Sequence, residues 1–320
     1  MAVTAGLAAV SGVWTTYILR KFVPMLRNEL VFADYAEPAQ IPKNSGGYVA
    51  RWLIPTKFNG STTVITEASA GSVGERTNTT ISSVEATIST YGEFMKVSEI
   101  AEMSQITGTL DVYGEQFMYA GQQVIDTLIR TTALTTTNIY KTGGGVGTGT
   151  LTTSLTATVR DFPKIAAFFR GGGAKGHDSI KGDFLWVIHP DQETNILTEN
   201  TSNSLSWSQV NQNVPAGYEQ LINNHRFVGR YSGVTAIRTA EIGTSTADVT
   251  AYASIALARW GVGWLGLAEN GPTAPSIKIK RPGPNDTSQP LDLYMTIGWK
   301  FKAVARLLDV NRVLKVYSSI

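Results

Sequence analysis

The sequence predicts an α+β fold in which strands and extended segments outweigh helix and surround one long helix. Apolar residues recur every three or four positions from about Asp111 to Thr132, and alternation marks 84–89 and 293–300. The chain of 320 residues also carries 31 glycines and 38 threonines, with only 16% charged residues. A three-to-four spacing lays side chains along one helix face, whereas alternation places every second side chain on one side of a strand. Threonine is stiff at χ1 and suits half-buried pleated surfaces better than helices. Soluble domains usually carry about 25% charged residues. The deficit here leaves a surface of Thr, Ser, Ala and Gly, which a neighbour can cover at little desolvation cost.

In chain order, residues 1–50 scatter large anchors (Trp14, Tyr17, Phe22, Phe32, Tyr35) among small residues and break at Glu37-Pro38 and Ile41-Pro42. This predicts an extended N-terminal arm with one helical piece from Tyr17 to Leu30. The apolar run from Ala2 to Leu19 has no basic residue ahead of it and is interrupted by Thr4, Ser11, Thr15 and Thr16. It reads neither as a secretory signal nor as a membrane span, so synthesis in the cytosol is expected. Residues 51–97 read as a projecting hairpin: Arg51 to Phe58 runs out, Asn59-Gly60 turns, a polar segment covers Thr66 to Thr80, and Ile81 to Val97 returns. Val84, Ala86 and Ile88 alternate with Glu85, Thr87 and Ser89, the mark of a strand with one covered face. The apolar phase then shifts to Tyr91, Met95 and Val97, which predicts a bulge or bend at Tyr91-Gly92. An isolated hairpin is marginal in water. The hairpin is therefore expected to lie along another subunit or against the parent domain, and the first 97 residues to find much of their packing on other subunits.

The long helix takes its stripe from Tyr113, Phe117, Ala120, Val124 and Leu128, widened by Ile125 and Ile129, with Glu115, Gln122 and Arg130 on the other side. A second helix fits Val159 to Arg170, with Phe162, Ile165, Ala166 and Phe169 inward and Gly171-Gly172-Gly173 ending it. The unbroken apolar run Phe184 to Ile188 reads as a buried strand, and Pro190 opens a short helix to about Glu199. A polar loop at Asn200 to Asn213 precedes a helix at Tyr218 to Asn223. Strands follow at Arg226 to Val228, Val234 to Arg238 and Ala251 to Leu257. Ile277 and Ile279 alternate with lysines, Leu293 to Lys300 alternates again, and Val310 to Tyr317 closes the chain, with Pro282 to Asp286 as a turn between.

Little in the sequence carries chemistry. With no cysteine, disulfides, thiol nucleophiles and thiolate zinc sites are excluded. His177, His189 and His225 lack ligand spacing and read as turn or capping residues. The glycine runs 143–149 and 171–176 lack the Gly-Lys-Ser/Thr ending of a phosphate loop, and Ser11-Gly12 and Ser232-Gly233 lack the elbow context of a hydrolase nucleophile. Glu99 and Glu102 suit a helix start. No catalytic, cofactor-binding or metal-binding residue is assigned. A net charge of +2 excludes strong global capture of nucleic acid, but 276–320 holds eight basic residues (Lys278, Lys280, Arg281, Lys300, Lys302, Arg306, Arg312, Lys315) against Asp286, Asp292 and Asp309. Strand spacing there predicts one buried and one exposed set. The exposed set is read as solvated or subunit-facing, with contact to packaged nucleic acid or a partner as the functional alternative.

The order of parts, an arm, a hairpin, a long helix, a compact insertion and returning strands, resembles the major capsid proteins of tailed bacteriophages, whose fold is shared with encapsulins. The segments that carry the resemblance are Glu67 to Gly74, Ala86-Thr87-Ile88-Ser89-Thr90-Tyr91-Gly92, Leu185-Trp186-Val187-Ile188-His189-Pro190 and Thr296-Ile297-Gly298-Trp299-Lys300. The resemblance implies an N-terminal arm (1–50), an extended loop (51–97), a peripheral domain with a spine helix (98–178), an axial domain (179–261) and return strands of the peripheral domain (262–320). It further implies a non-enzymatic virion protein, without membrane association, that self-assembles in the host cytoplasm as pentamers and hexamers. The resulting icosahedral shell would enclose double-stranded DNA, contacted weakly. A separate scaffolding protein and a portal are implied partners. Some relatives crosslink lysine to asparagine; Lys57 and Asn59 lie on the corresponding loop, without a motif that assigns them. An encapsulin-like compartment is the nearest alternative. A small-molecule-binding or hydrolytic enzyme in 179–261 is a third, and predicts His189 or His225 beside carboxylates in a concave site.

Overall fold

The computed structural model describes residues 30–41, 49–55, 81–98, 109–143, 150–199, 226–245, 249–267, 275–280 and 294–320. The expected helices at 17–30 and 218–223, and the turns at 59–60 and 282–286, lie outside these residues apart from residue 30. In chain order the elements are α1 (Phe32–Tyr35), β1 (Glu37–Ile41), β2 (Val49–Pro55), β3 (Ile81–Thr87), β4 (Ser89–Ser98), α2 (Thr109–Ala133), β5 (Ile139–Lys141) and α3 (Asp161–Gly171). There follow β6 (Phe184–Ile188), α4 (Pro190–Thr198), β7 (Phe227–Tyr231), β8 (Val234–Arg238), β9 (Thr244–Ser245), β10 (Ala251–Leu257), β11 (Val262–Leu267), β12 (Ser276–Lys280), β13 (Tyr294–Leu307) and β14 (Val313–Ser319).

Two larger sheets share one core. In the first, β13 is the backbone: β4 runs antiparallel along 294–303, β12 along 296–300, and β11 along 303–307, with β1 parallel to β11. In the second the order is β5, β14, β10, β6, β8, β7, with β9 on β10. Helix α2 binds the two together. Its most buried apolar positions are Ile125, Ile129 and Ala133, and they meet Trp299 and Phe301 from the first sheet and Leu185, Ile255 and Val313 from the second in one cluster. Tyr113, Phe117, Val124 and Leu128, expected at the centre of the stripe, are only half-buried at its flank. Gly121 marks the closest approach, because a Cβ there would come within 2.7 Å of the Pro275 Cβ.

Strand β6 is buried at every position because both faces of its sheet are covered. Leu185 and Val187 face the α2 cluster, while Phe184, Trp186 and Ile188 meet Phe162, Ile165 and Phe169 of α3. Phe162 stands edge-on to Trp186 at 4.9 Å. Helix α3 ends where Gly173 turns left-handed at φ 67, with Gly173 N–H on the Arg170 carbonyl at 3.0 Å and Ala174 N–H on Phe169 at 2.9 Å.

Three expectations change. The phase shift in the returning strand is real, but the break falls at Ile88, between β3 and β4, and β4 pairs without interruption through Tyr91-Gly92. Gly92 is explained instead by close approach, since a Cβ would lie 2.8 Å from the Trp299 carbonyl oxygen. The stretch after α2 forms the short strand β5, parallel to β14, which no periodicity in the sequence predicts. The end of the arm also packs at home. Val31 and Phe32 are fully buried in the α2 cluster and β1 joins the first sheet, so residues 30–41 do not wait for another subunit.

Candidate functional site

Of the hairpin expected at 51–97, the described residues form an antiparallel ribbon of β2 and β3, paired from Val49 with Thr87 to Pro55 with Ile81 and joined by no third strand among the described residues, whereas 89–97 lies in β4 of the first sheet. Register divides its side chains. Ala50 and Ala86 are buried at the base, and Trp52, Ile54 and Val84 are half-buried further out on the same face. The opposite face carries Val49, Arg51, Leu53, Pro55, Ile81, Ser83, Glu85 and Thr87, all exposed. Leu53 is 66% and Ile81 59% exposed, although fully covering either would gain about 1.5–3 kcal/mol. Arg51 and Glu85 form an ion pair across this face. An apolar face with a paired charge at its centre has the composition of a contact surface.

His177 and His189 do not converge. His177 is buried, meets Tyr35 edge-on at 5.5 Å, and has its titration lowered to about 4, first by loss of solvent. His189 caps α4: its Nδ1 accepts from Asp191 N–H at 3.2 Å, and its own N–H donates to Gln192 Oε1 at 2.9 Å. Its ring stacks on Tyr252 at 4.2 Å, and the Tyr252 hydroxyl donates to Asp191, which raises the phenol to about 12. A carboxylate does lie beside His189, as the enzyme alternative required, but helix capping and the tyrosine account for it. His225, Ser11-Gly12, Lys57, Asn59, Glu99 and Glu102 lie outside the described residues. Ser232 and Gly233, at φ 53 and 78, form the tight turn joining β7 to β8. Among the described residues, no group of acids and histidines could hold a metal, and no helix is long and apolar enough to cross a membrane.

Three buried acids escaped sequence reasoning. Asp126, on α2, accepts from the Ala33 N–H at 3.1 Å and so pins the arm to the helix; burial raises its carboxyl to about 6. Asp161 accepts from Tyr140 at 2.5 Å and from Thr158 N–H and hydroxyl at 2.9 and 3.0 Å. Asp183 receives both arms of Arg230 and the Thr235 hydroxyl, at 3.0 Å for the latter. Each partner is distant in sequence or typed as an ordinary polar residue, and only Gly182-Asp183 ahead of an apolar strand offered a hint.

The basic C-terminal residues separate as the alternation required. Met295, Ile297, Trp299 and Phe301 are buried towards α2, while Lys278, Lys280, Lys300, Lys302 and Arg306 are exposed. Arg312 pairs with Asp309 at 2.9 Å, and Lys315 donates to the Leu134 carbonyl at 3.1 Å, so these two are structural. Arg281 lies outside the described residues.

A family model described as phage capsid protein matches residues 81–307. No curated protein matches the chain. Among solved structures, the capsid of Ralstonia phage GP4 superposes with a TM-score of 0.72 at 9% identity, over 100% of this chain and 98% of that one. A capsid chain of cyanophage Pam1 gives 0.66 at 11% identity, over 98% and 99%. One of cyanophage P-SCSP1u gives 0.61 at 14%, over 97% and 94%. At these identities the likeness concerns the fold, and it spans both sheets, α2 and the ribbon.

Proposed function

Because the chain belongs to the phage capsid protein family, it is a structural protein of the virion capsid rather than an enzyme, and we propose that it assembles as hexamers and pentamers into a closed icosahedral shell enclosing double-stranded DNA. The observation that carries this reading is the exposed apolar face of the ribbon, with Leu53 and Ile81 uncovered on an element too small to be stable alone. Rings and closed shells need such heterologous surfaces, in which a patch on one copy covers a different patch on the next. Low charge supports the same reading, since burying Thr or Ser at many interfaces costs less than burying Lys or Glu.

Within the subunit the proposed division is an arm (1–50), an extended loop (51–97), a peripheral domain (98–178 with 262–320) and an axial domain (179–261). Strand β14 contributes to the second sheet from the C-terminal segment. Assembly is proposed to take place in the host cytoplasm with a separate scaffolding protein and a portal, and the shell is proposed to touch the packaged DNA weakly and without sequence preference. Electron microscopy of the chain purified with its contents tests the reading. Closed particles containing DNA are expected. Particles filled with a cargo enzyme would move it to an encapsulin-like compartment, and a chain that stays monomeric with its scaffolding partner present would contradict it.

A further inference from the structure

The face of the first sheet turned away from α2 carries Lys96 on β4, Lys278 and Lys280 on β12, and Lys300, Lys302 and Arg306 on β13, all exposed. Register places them side by side. Lys280, Thr296 and Lys96 stand abreast, then Lys278, Gly298 and Phe94, then Ser276, Lys300 and Gly92, with Lys302 beside Thr90 and Arg306 beyond. Cations on neighbouring rows are thus roughly 5–8 Å apart at their backbones. No carboxylate shares this face of β4, β12 or β13 among the described residues, because Glu93 points to the α2 side. Lys278, Lys300, Lys302 and Arg306 have no ion pair among the described residues. Lys96 instead leans on Tyr294, with Nζ 3.3 Å from the hydroxyl and 4.4 Å from the ring centre.

In the middle of this band stands Phe94, 67% exposed, the most exposed of the large apolar side chains described. It lies opposite Gly298, where a Cβ would come within 2.7 Å of the Phe94 Cβ. The glycine lets the strands close at this point, yet two thirds of Phe94 still faces solvent. An exposed aromatic ringed by polar and charged groups has the layout of an interface hot spot with its rim.

We infer that this face docks an acidic protein segment that carries a large apolar side chain: carboxylates meet the lysine band and the apolar anchor covers Phe94. Duplex DNA would satisfy the cations, but its outer surface is phosphate and leaves Phe94 in water, so the aromatic decides between the two. Lysine rather than arginine suits the role. Its ammonium is a point charge on a flexible stem and does not demand a fixed bidentate partner. The inference does not depend on the shell reading.

Fluorescence anisotropy of the unassembled full chain tests it with three labelled probes: a Glu-rich helical peptide with tryptophans along one face, poly-glutamate of the same length, and a short DNA duplex of the same charge. The amphipathic peptide is expected to bind tightest, with poly-glutamate about tenfold weaker for want of the anchor. Lys300→Glu with Lys302→Glu should weaken the peptide by about tenfold or more, and Phe94→Thr should bring it down to the poly-glutamate level. Lys278→Glu with Lys280→Glu, on the peripheral strand β12, is a second charge reversal should the first disturb β13. Preference for the duplex, or peptide binding indifferent to both charge reversals, overturns the inference. A chain that forms shells but ignores the peptide overturns it while leaving the shell reading intact.

Discussion

Strand β6 and the β2–β3 ribbon are built from similar residues and end in opposite circumstances. Leu185, Val187 and Ile188 are sealed between α2 and α3, whereas Leu53 and Ile81 expose most of their surface. The difference lies in what stands on each side. A strand inside a sheet with both faces covered reads as an unbroken apolar run, while a two-stranded ribbon has one face for its own body and one left over. The body of the molecule therefore holds the stability of the fold, and the ribbon holds surface meant for another molecule. The lysine face of the first sheet is a third circumstance: one side of β13 is covered by α2 and the other is left open and positively charged.

Substitutions should separate these regions by size of effect. Trp186→Ala empties the middle of the second sheet and should cost about 3–5 kcal/mol in denaturant unfolding of the unassembled chain. Next come two groups that anchor the arm. Burial raises Asp126 to about 6, above its unfolded value, so its contribution to stability is present below about pH 4 and is lost as pH rises through 6. Burial lowers His177 to about 4, so its contribution is present above about pH 6.5 and is lost as pH falls through 4. The two oppose each other over one window, each by roughly 3 kcal/mol. Asp126→Asn should make the protein less stable at pH 4 than at pH 7, His177→Gln the reverse, and the double variant should be flatter than either; unfolding midpoints at the two pH values check this. Gly298→Val should push β4 off β13 for about 1–3 kcal/mol, seen as faster amide exchange along 89–98. Smallest for the isolated chain is Leu53→Asp with Ile81→Asp, within about 0.5 kcal/mol, because both are already in water. The same pair should nonetheless abolish particles in micrographs.

What the sequence made legible follows the same division. Elements with one buried face, α2, α3 and the alternation of β13, were readable because period alone reveals them, while β6, covered on both faces, was readable as an unbroken apolar run. The centre of the α2 stripe was displaced because two sheets, rather than one, meet the helix at Ile125 and Ile129. Strand β5 was missed because three residues carry no period, and the bend was misplaced because Gly92 serves a close approach to Trp299. Asp126 was illegible for a different reason: its partner, the Ala33 N–H, lies 93 residues earlier in the chain. Lys96 joins the C-terminal lysines only through a register that pairs β4 with β13 across some two hundred residues.

The claim that the ribbon's outer face belongs to another copy can be tested by hydrogen exchange on the same chain, free and assembled. Amides of 49–55 and 81–87 should exchange quickly in the free subunit and slow markedly in particles, while those of β6 and β10 should be slow in both. Equal protection of the ribbon before and after assembly would contradict the account.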